Sequence, residues 1–293
     1  MIGVDWGTSN FRAYRLAPDG TILERRIAPR GILQVVGPAF GETLQAEIGD
    51  WLLGGEERVL LCGMIGSRQG WQEAGYVPCP VGIAELAGAI VPVPFRNARV
   101  KLVPGVSAHD PQGVPDVMRG EETKIAGLAG SLGKGGLVCL PGTHTKWVTV
   151  KDGLIAGFAT HMSGEVFGAL REHSILGRMM RPGPTDWAAF DRGFDRAGDP
   201  GGWLHHLFGV RALGLAGHLD EGSASSYLSG LLIGHEVRAQ LLAPLAVHLL
   251  GDPALTAQYA RAIVRAGGTV RLEDEDEAAR GLAAIGSRVD WSG

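Results

Sequence analysis

A carboxylate, a glycine and two hydroxyls stand together near the start of the chain. They are Asp5, Gly7, Thr8 and Ser9 in VDWGTSNFRAYRL, where the apolar run of Ile2 and Val4 breaks off. Such a set can bind a phosphate and its metal ion. Glycine lets a backbone turn with φ > 0 and approach a ligand closely, and successive N–H groups in such a turn form an anion-binding nest. Asp5 would face Mg²⁺, usually through water. The same residue types also make ordinary hairpin turns, so the recurrence of the pattern carries the argument. The segment GLVCLPGTHTKWVTVKDGLIAGFAT repeats it: an apolar strand from Leu137 to Leu140, Gly142-Thr143, a second strand, an Asp152-Gly153 turn and a third strand. Its counterpart runs from Ile2 through Gly7-Thr8 and the Asp19-Gly20 turn to Ile22-Leu23, and Leu140 stands where the first copy has Asp5.

These turns need strands to hold them. After the opening meander, Phe40, Leu44, Ile48 and Trp51-Leu52 fall at helical spacing, and 58–63 (RVLLCG) reads as a buried parallel strand, giving β-β-β-α-β. A further strand is expected over 98–105, a loop over 110–116 (DPQGVPD), a helix from Glu121 to Leu132, and then the second meander. Beyond it the pattern predicts a long helix over 223–242, a strand over 246–250, a helix over 253–265, a strand over 269–272 and a helix over 277–285. The fold class is α/β, with two halves of related topology.

Composition bounds this reading. The chain has 293 residues, enough for two domains of ordinary size, each with its own core. A hydrophobic share of 45% beside 20% charged residues describes a globular protein, and the 46 glycines are scattered without a collagen-like period. The net charge of −4 offers no basic surface for nucleic acid, so phosphate ligands must be captured by local geometry. Cys62, Cys79 and Cys139 are odd in number and unclustered, and read as reduced thiols. Met1 leads almost at once into the first strand, with no room for a signal peptide, so a cytoplasmic protein is expected. The tract YLSGLLIGHEVRAQLLAPLAVHLL carries His235, Glu236 and Arg238 in its middle and is not a plain membrane span.

Several chemistries are excluded by pattern. There is no Gly-x-x-x-x-Gly-Lys-Ser/Thr loop, no Gly-x-Ser-x-Gly elbow, no Gly-x-Gly-x-x-Gly fingerprint, no His-Glu-x-x-His and no zinc spacing of cysteines. His205-His206 reads as helix surface.

The duplicated meander resembles the actin-like (ribonuclease H-like) ATPase superfamily, which includes sugar kinases whose two domains close over ATP. More narrowly, VDWGTSNFRAYRL, CGMIGSRQGW, VMRGEETKIAG, LPGTHTKWV, MSGEVFGALREHSILG and YLSGLLIGHEV together resemble the 2-dehydro-3-deoxygalactonokinase family. The resemblance implies ATP- and Mg²⁺-dependent phosphorylation of the terminal 6-hydroxyl of 2-dehydro-3-deoxy-D-galactonate, in galactonate catabolism. It implies that a carboxylate at Gly120-Glu121 accepts the alcohol proton, with Glu122 as the alternative. Both acids also suit a helix N-terminus through its dipole. It implies that Gly7, Thr8 and Ser9, with Gly142, Thr143 and Lys146, hold the phosphates, that Asp5 serves the metal, and that Gly251 touches adenosine. Lys146 could instead point to solvent from its strand.

The loop leaving the strand at 58–63 makes Ser67, Arg68 and Trp71 candidates for holding the sugar acid, because open α/β sheets place ligand loops at strand carboxyl ends. Arg68 or Arg119 could grip its carboxylate bidentately, and the sequence leaves that choice open. Glu165 is a further substrate candidate, although Ser163-Gly164-Glu165 equally reads as a helix start. The expected domains are 1–118, carrying the substrate loops, and 119–293, carrying the adenosine site, with the terminal helix packing back on the first. The expected partners are ATP and a small sugar acid, with no nucleic acid or membrane, and a homo-oligomer is compatible with the sequence. The alternatives are a kinase of another sugar acid or polyol, and a non-kinase ATPase of the actin type.

Overall fold

A computed structural model describes residues 1–37, 39–241 and 245–292. The chain forms two compact units, one of Met1–Gly136, Val148–Ala159 and Asp274–Gly293, the other of Leu137–Trp147 and Thr160–Glu273. This division departs from the expected boundary at 118 and 119. The first unit continues through 136, and β10 (Gly135–Leu140), β11 (Thr145–Lys151) and β12 (Leu154–His161) each carry residues of both units.

The first unit is built on β1 (Ile2–Trp6), β2 (Phe11–Leu16), β3 (Ile22–Ala28), β4 (Arg58–Cys62), β6 (Val91–Val93) and β7 (Arg99–Leu102), in the sheet order β3-β2-β1-β4-β7-β6. β1 is buried along its whole length because it is central, antiparallel to β2 and parallel to β4, with Asp5 opposite Arg12 on one side and Cys62 on the other. β3 alternates partly buried and exposed residues, as a strand with one wet face must. Helix α1 (Phe40–Leu53) turns Phe40, Leu44, Ile48 and Trp51 onto the core with Trp6, Phe11 and Val59.

The expected strand over 98–105 is two. β7 ends at Leu102, and after Pro104, which has no N–H to continue a ladder, β8 (Gly105–His109) joins a separate sheet ordered β5 (Tyr76–Pro78), β8, β9 (Pro115–Met118). The expected loop over 110–116 is a hairpin turn closed by Asp110, whose Oδ1 accepts from the N–H groups of Gln112 (2.9 Å) and Val114 (2.8 Å), and β9 begins at Pro115.

Helix α2 (Ile83–Gly88) precedes β6, and the expected helix 121–132 is α3 (Glu121–Gly127) and α4 (Ala129–Leu132). Helix α10 (Glu277–Gly286) belongs to the first unit and lies on α3: a Cβ on Gly281 would come within 1.8 Å of the Thr123 carbonyl. That close helix contact fixes the helix carrying Glu121 and Glu122.

The second sheet runs β12-β11-β10-β13-β14, with β13 (Ala246–Leu249) and β14 (Thr269–Leu272) parallel to β10. This is the order of the first sheet without its last strand, so the duplicated meander is a duplicated topology. Helices α5 (Ser163–His173), α6 (Trp187–Arg196), α7 (Gly202–Leu215), α8 (Ala224–Gln240) and α9 (Pro253–Arg265) complete the second unit. The expected end of the long helix, Leu242, lies outside the described residues. Asp252 accepts from the N–H groups of Ala254 (2.9 Å) and Leu255 (3.2 Å), which makes it the N-cap of α9. His206 is fully buried between Pro200 and His235, a departure from the surface position read in the sequence.

Candidate active site

In the first unit, backbone contacts bring Asp5, Gly63 and Gly120 together. Asp5 is buried at the end of β1, with Oδ2 3.7 Å from Arg12 Nη1. Gly63 leaves β4 at φ 94°, where a Cβ would lie 2.8 Å from the Trp6 carbonyl and 3.1 Å from Asp5 Oδ1. Gly120 has φ 102° and a Cβ on it would lie 3.1 Å from the Gly63 Cα. Both positions demand glycine, and both bring the start of α3 down onto the ends of β1 and β4.

The two acids that open α3 differ sharply. Glu121 is half-buried and its Oε2 accepts the Arg119 N–H at 3.0 Å. Glu122 is fully buried: Oε2 accepts the Gly120 N–H at 2.6 Å, Oε1 accepts from Thr123 Oγ1 at 3.1 Å, and the side chain borders an apolar hollow with Val81, Ile83, Leu86 and Ile125. Burial, then the charge of Glu121, push its carboxyl up to about 8.

The substrate candidates separate in the same way. The Arg68 side chain is 88% exposed and pairs with Glu73 at 3.0 Å. Arg119 is buried, its guanidinium 4.5 Å from the Tyr76 ring centroid and its Nη2 donating to the Ala74 carbonyl at 2.6 Å. Its Nε and Nη1, and Ser67 Oγ, are buried without a hydrogen-bond partner among the described residues. Buried polar groups are nearly always paired, and an unpaired one calls for a reason. Trp71 is half-buried edge-on to Phe95 at 6.0 Å, packed against the core.

The two glycine turns behave alike. Contrary to the sequence expectation, neither Gly7 nor Gly142 has positive φ. A Cβ would meet only the Asn10 carbonyl at 3.6 Å on Gly7 and the His144 carbonyl at 3.9 Å on Gly142. Nothing in the protein therefore excludes a side chain at either place. The N–H of Gly7 goes to the Asn10 carbonyl (2.9 Å) and that of Gly142 to Thr145 Oγ1 (3.4 Å). Among the described residues the N–H groups of Thr8, Ser9, Thr143 and His144 have no acceptor.

In the second unit the Gly142 turn lies on the first turn of α5, where the Glu165 N–H donates to the Thr143 carbonyl at 3.0 Å and a Cβ on Gly164 would come within 2.4 Å of the Gly142 carbonyl. Glu165 is exposed and pairs with His144. Lys146 is buried, not turned to solvent, with Nζ donating to Thr160 Oγ1 at 2.7 Å. Gly251 sits after β13, where a Cβ would be 3.2 Å from the Pro141 carbonyl. A cavity of about 170 Å³ opens beside the turn, lined by Gly142, Ser163 and Gly164, by Ser225 and Ser229 of α8 and by Gln258 and Tyr259 of α9.

Comparison with known proteins identifies the family of the chain. The family described as 2-keto-3-deoxy-galactonokinase matches residues 5–285. The chain belongs to that family. Over 98% of its length it is 36% identical to Probable 2-dehydro-3-deoxygalactonokinase DgoK1 of Rhizobium meliloti (strain 1021), covering 96% of that protein. It is 34% identical to the 2-dehydro-3-deoxygalactonokinase of Escherichia coli (strain K12), with 98% of each covered. A crystal structure from Sinorhizobium meliloti, assigned as a 2-dehydro-3-deoxygalactonokinase protein, superposes with a TM-score of 0.89 at 36% identity, covering 98% of this chain and 97% of that one. The two sheets of like order bear out the duplicated α/β plan expected from the repeated meander.

In this family member, sequence reasoning missed the wall of the second unit's cavity: Gly183, Thr185, Gly222, Ser225, Ser226, Ser229 and Gln258. The small residues of ASSYLSG fall at helical spacing on one face of α8, the signal that could have found them. No helix among the described residues is long and apolar enough to cross a membrane.

Proposed function

We propose that this family member, a cytoplasmic enzyme, transfers the γ-phosphoryl group of ATP to the terminal 6-hydroxyl of 2-dehydro-3-deoxy-D-galactonate, giving the 6-phosphate and ADP. The observation that supports the reading is the Asp5, Gly63, Gly120 contact, in which the helix start that carries Glu121 meets the strand end that carries the buried Asp5. Phosphoryl transfer needs little covalent chemistry from a protein. It needs an aligned acceptor oxygen, a proton acceptor and neutralised charge.

Glu121 takes the hydroxyl proton as the acceptor oxygen bonds to the γ-phosphorus and the bond to the β–γ bridging oxygen breaks. Glu122 is unsuited to this, since it is walled off and its burial favours the protonated form. Arg119 receives the sugar acid's carboxylate: its Nε and Nη1 are already stripped of water and lack a partner, and a carboxylate spanning Nη2 and either of them would relieve that one. Ser67 adds a hydroxyl from the neighbouring loop, and Trp71 shapes that loop. Arg68 stays at the rim.

The turn at Gly142 and Thr143 binds nucleotide phosphate through the free amides of Thr143 and His144, with the adenosine in the cavity of α8 and α9 and Gly251 beside it. Lys146 adds positive charge behind this turn. Gly7, Thr8 and Ser9 contribute the matching turn of the first unit, and Glu165 braces its counterpart through His144. Among the described residues no three His, Cys, Asp or Glu side chains gather to hold a metal ion. A cation here would take Asp5 from the protein and phosphate oxygens and water for the rest, which fits Mg²⁺. Bound there, Mg²⁺ would neutralise phosphate charge.

Mass spectrometry and phosphorus NMR of the product test the reading. A monophosphate ester on C6 of the sugar acid is expected. Phosphate on another oxygen, or free phosphate alone, would overturn it.

A further inference from the structure

Glu236 lies within α8, 3% exposed and without a cation among its hydrogen-bond partners. The Trp147 indole N–H donates to its Oε1 at 2.7 Å, and the Tyr259 hydroxyl donates to its Oε2 at 2.9 Å. An ionised carboxylate only accepts, so the phenol proton is spent on Glu236. The Tyr259 oxygen must then accept from Thr145 Oγ1, 2.8 Å away, and the Thr145 oxygen is left to accept the Gly142 N–H at 3.4 Å. The bonds form one directed chain from the Gly142 turn through Thr145 and Tyr259 to the carboxylate. Burial and the Glu236 charge hold the phenol protonated, which keeps that direction fixed.

Both Gly142 and Tyr259 line the second unit's cavity. We propose that Glu236 is a positioning residue for nucleotide binding, acting through Tyr259 and Thr145 to fix the Gly142 turn, an inference that rests on that cavity being the nucleotide site. With Thr145 occupying the Gly142 N–H, the N–H groups of Thr143 and His144 are left for phosphate, at an angle set by the chain of bonds. A buried carboxylate is costly to keep in a core, and this one repays its desolvation by accepting two strong hydrogen bonds and orienting a third.

The test is ADP binding by calorimetry and steady-state kinetics on the full chain. Thr145→Val keeps side-chain volume and removes the hydroxyl. Tyr259→Phe cuts the chain in the middle, and Thr145→Ser restores a hydroxyl. Thr145→Val and Tyr259→Phe are expected to weaken ADP binding and raise KM for ATP by roughly 10- to 100-fold, the scale of a lost buried hydrogen bond coupled to a charge. KM for the sugar acid stays within about twofold and Thr145→Ser recovers most of the loss. The double variant should lose little more than either single one, because both break the same chain.

Gly142→Ala is the control that leaves the hydroxyls in place and obstructs the turn itself. If it weakens ADP binding while Thr145→Val and Tyr259→Phe do not, the positioning role of Glu236 is overturned and the nucleotide site stands. Unchanged ADP binding in Gly142→Ala would overturn both. Equal rises in KM for ATP and for the sugar acid would mean general loosening and would also overturn the proposal.

Discussion

Gly120 rests on Gly63: a Cβ on the first would come within 3.1 Å of the Cα of the second, and both hold positive φ, 102° and 94°. Alanine at either position would be strained by ~1–3 kcal/mol and would shift the start of α3, which carries Glu121. Gly120→Ala and Gly63→Ala are each expected to lower kcat by about 100-fold, the effect of an ångström-scale misplacement. ADP binding, a property of the second unit in this account, should be unaffected in calorimetry.

The division of labour between the paired acids is directly measurable. Glu121→Gln should lower kcat by ~10²–10⁴ with little change in either KM, as loss of a general base does. Glu122→Gln preserves shape and the contacts to Gly120 and Thr123, and should stay within about fivefold of the parent, as a change away from the reacting atoms. Steady-state rates at saturating ATP compare them, and an inactive Glu122→Gln beside an active Glu121→Gln would exchange their roles.

Glu122 also ties stability to pH. Its folded-state pKa is raised from 4.5 to about 8, by burial first. The folded protein therefore holds a proton that the unfolded chain releases, and stability from this group is complete below about 4.5 and lost as pH rises through about 8. The melting temperature of the parent relative to Glu122→Gln should fall across that window, by ~2–4 °C per kcal/mol for a chain of this size. Calorimetric melting curves measure it, and parallel pH profiles for the two proteins would contradict the assignment.

Arg119 and Arg68 should respond oppositely to substitution. Arg119→Lys loses the planar fork and should raise KM for the sugar acid by roughly 10- to 100-fold. Arg68→Ala removes only an exposed pair with Glu73, worth ~0.2–1 kcal/mol, and should change KM by no more than a fewfold. Initial-rate measurements at fixed ATP decide between them.

These contrasts mark where the sequence stops being legible. The meander repeat, the helix at Pro253–Arg265 and the strand at Thr269–Leu272 could be read from period and turn residues, because each is set by neighbours along the chain. The turn glycines could be found too, but the reason given for Gly7 did not hold, since its φ is ordinary and only the open space beside it is special. Burial of Glu122 against exposure of Arg68 depends on what packs over them. Adjacent acids at a helix start look equivalent in sequence until the segment around Val81 and Ile83 packs beside one of them. The unit boundary was missed for a similar reason: β11 and β12 each run from one unit into the other, and no composition shift marks that crossing. Glu236 was visible only as a charge interrupting an apolar tract, and its partners Trp147 and Tyr259 lie far away in sequence.

The two glycine turns give a further prediction. Since a methyl group fits at Gly7 with only an ordinary 3.6 Å contact to the Asn10 carbonyl, Gly7→Ala should leave stability within about 0.5 kcal/mol of the parent. It should nonetheless raise KM for ATP by ~10-fold or more, because the methyl occupies the space kept for phosphate. Thermal unfolding together with ATP saturation curves separates the two effects.

The central claim is acceptor-dependent phosphoryl transfer, and coupled ADP release with Mg²⁺ and ATP tests it most directly. 2-Dehydro-3-deoxy-D-galactonate should be compared with its gluconate epimer, other sugar acids, glycerol and no acceptor. The account predicts turnover that requires the acceptor, prefers the galactonate compound and collapses in Glu121→Gln. ADP release at the same rate without an acceptor would contradict it.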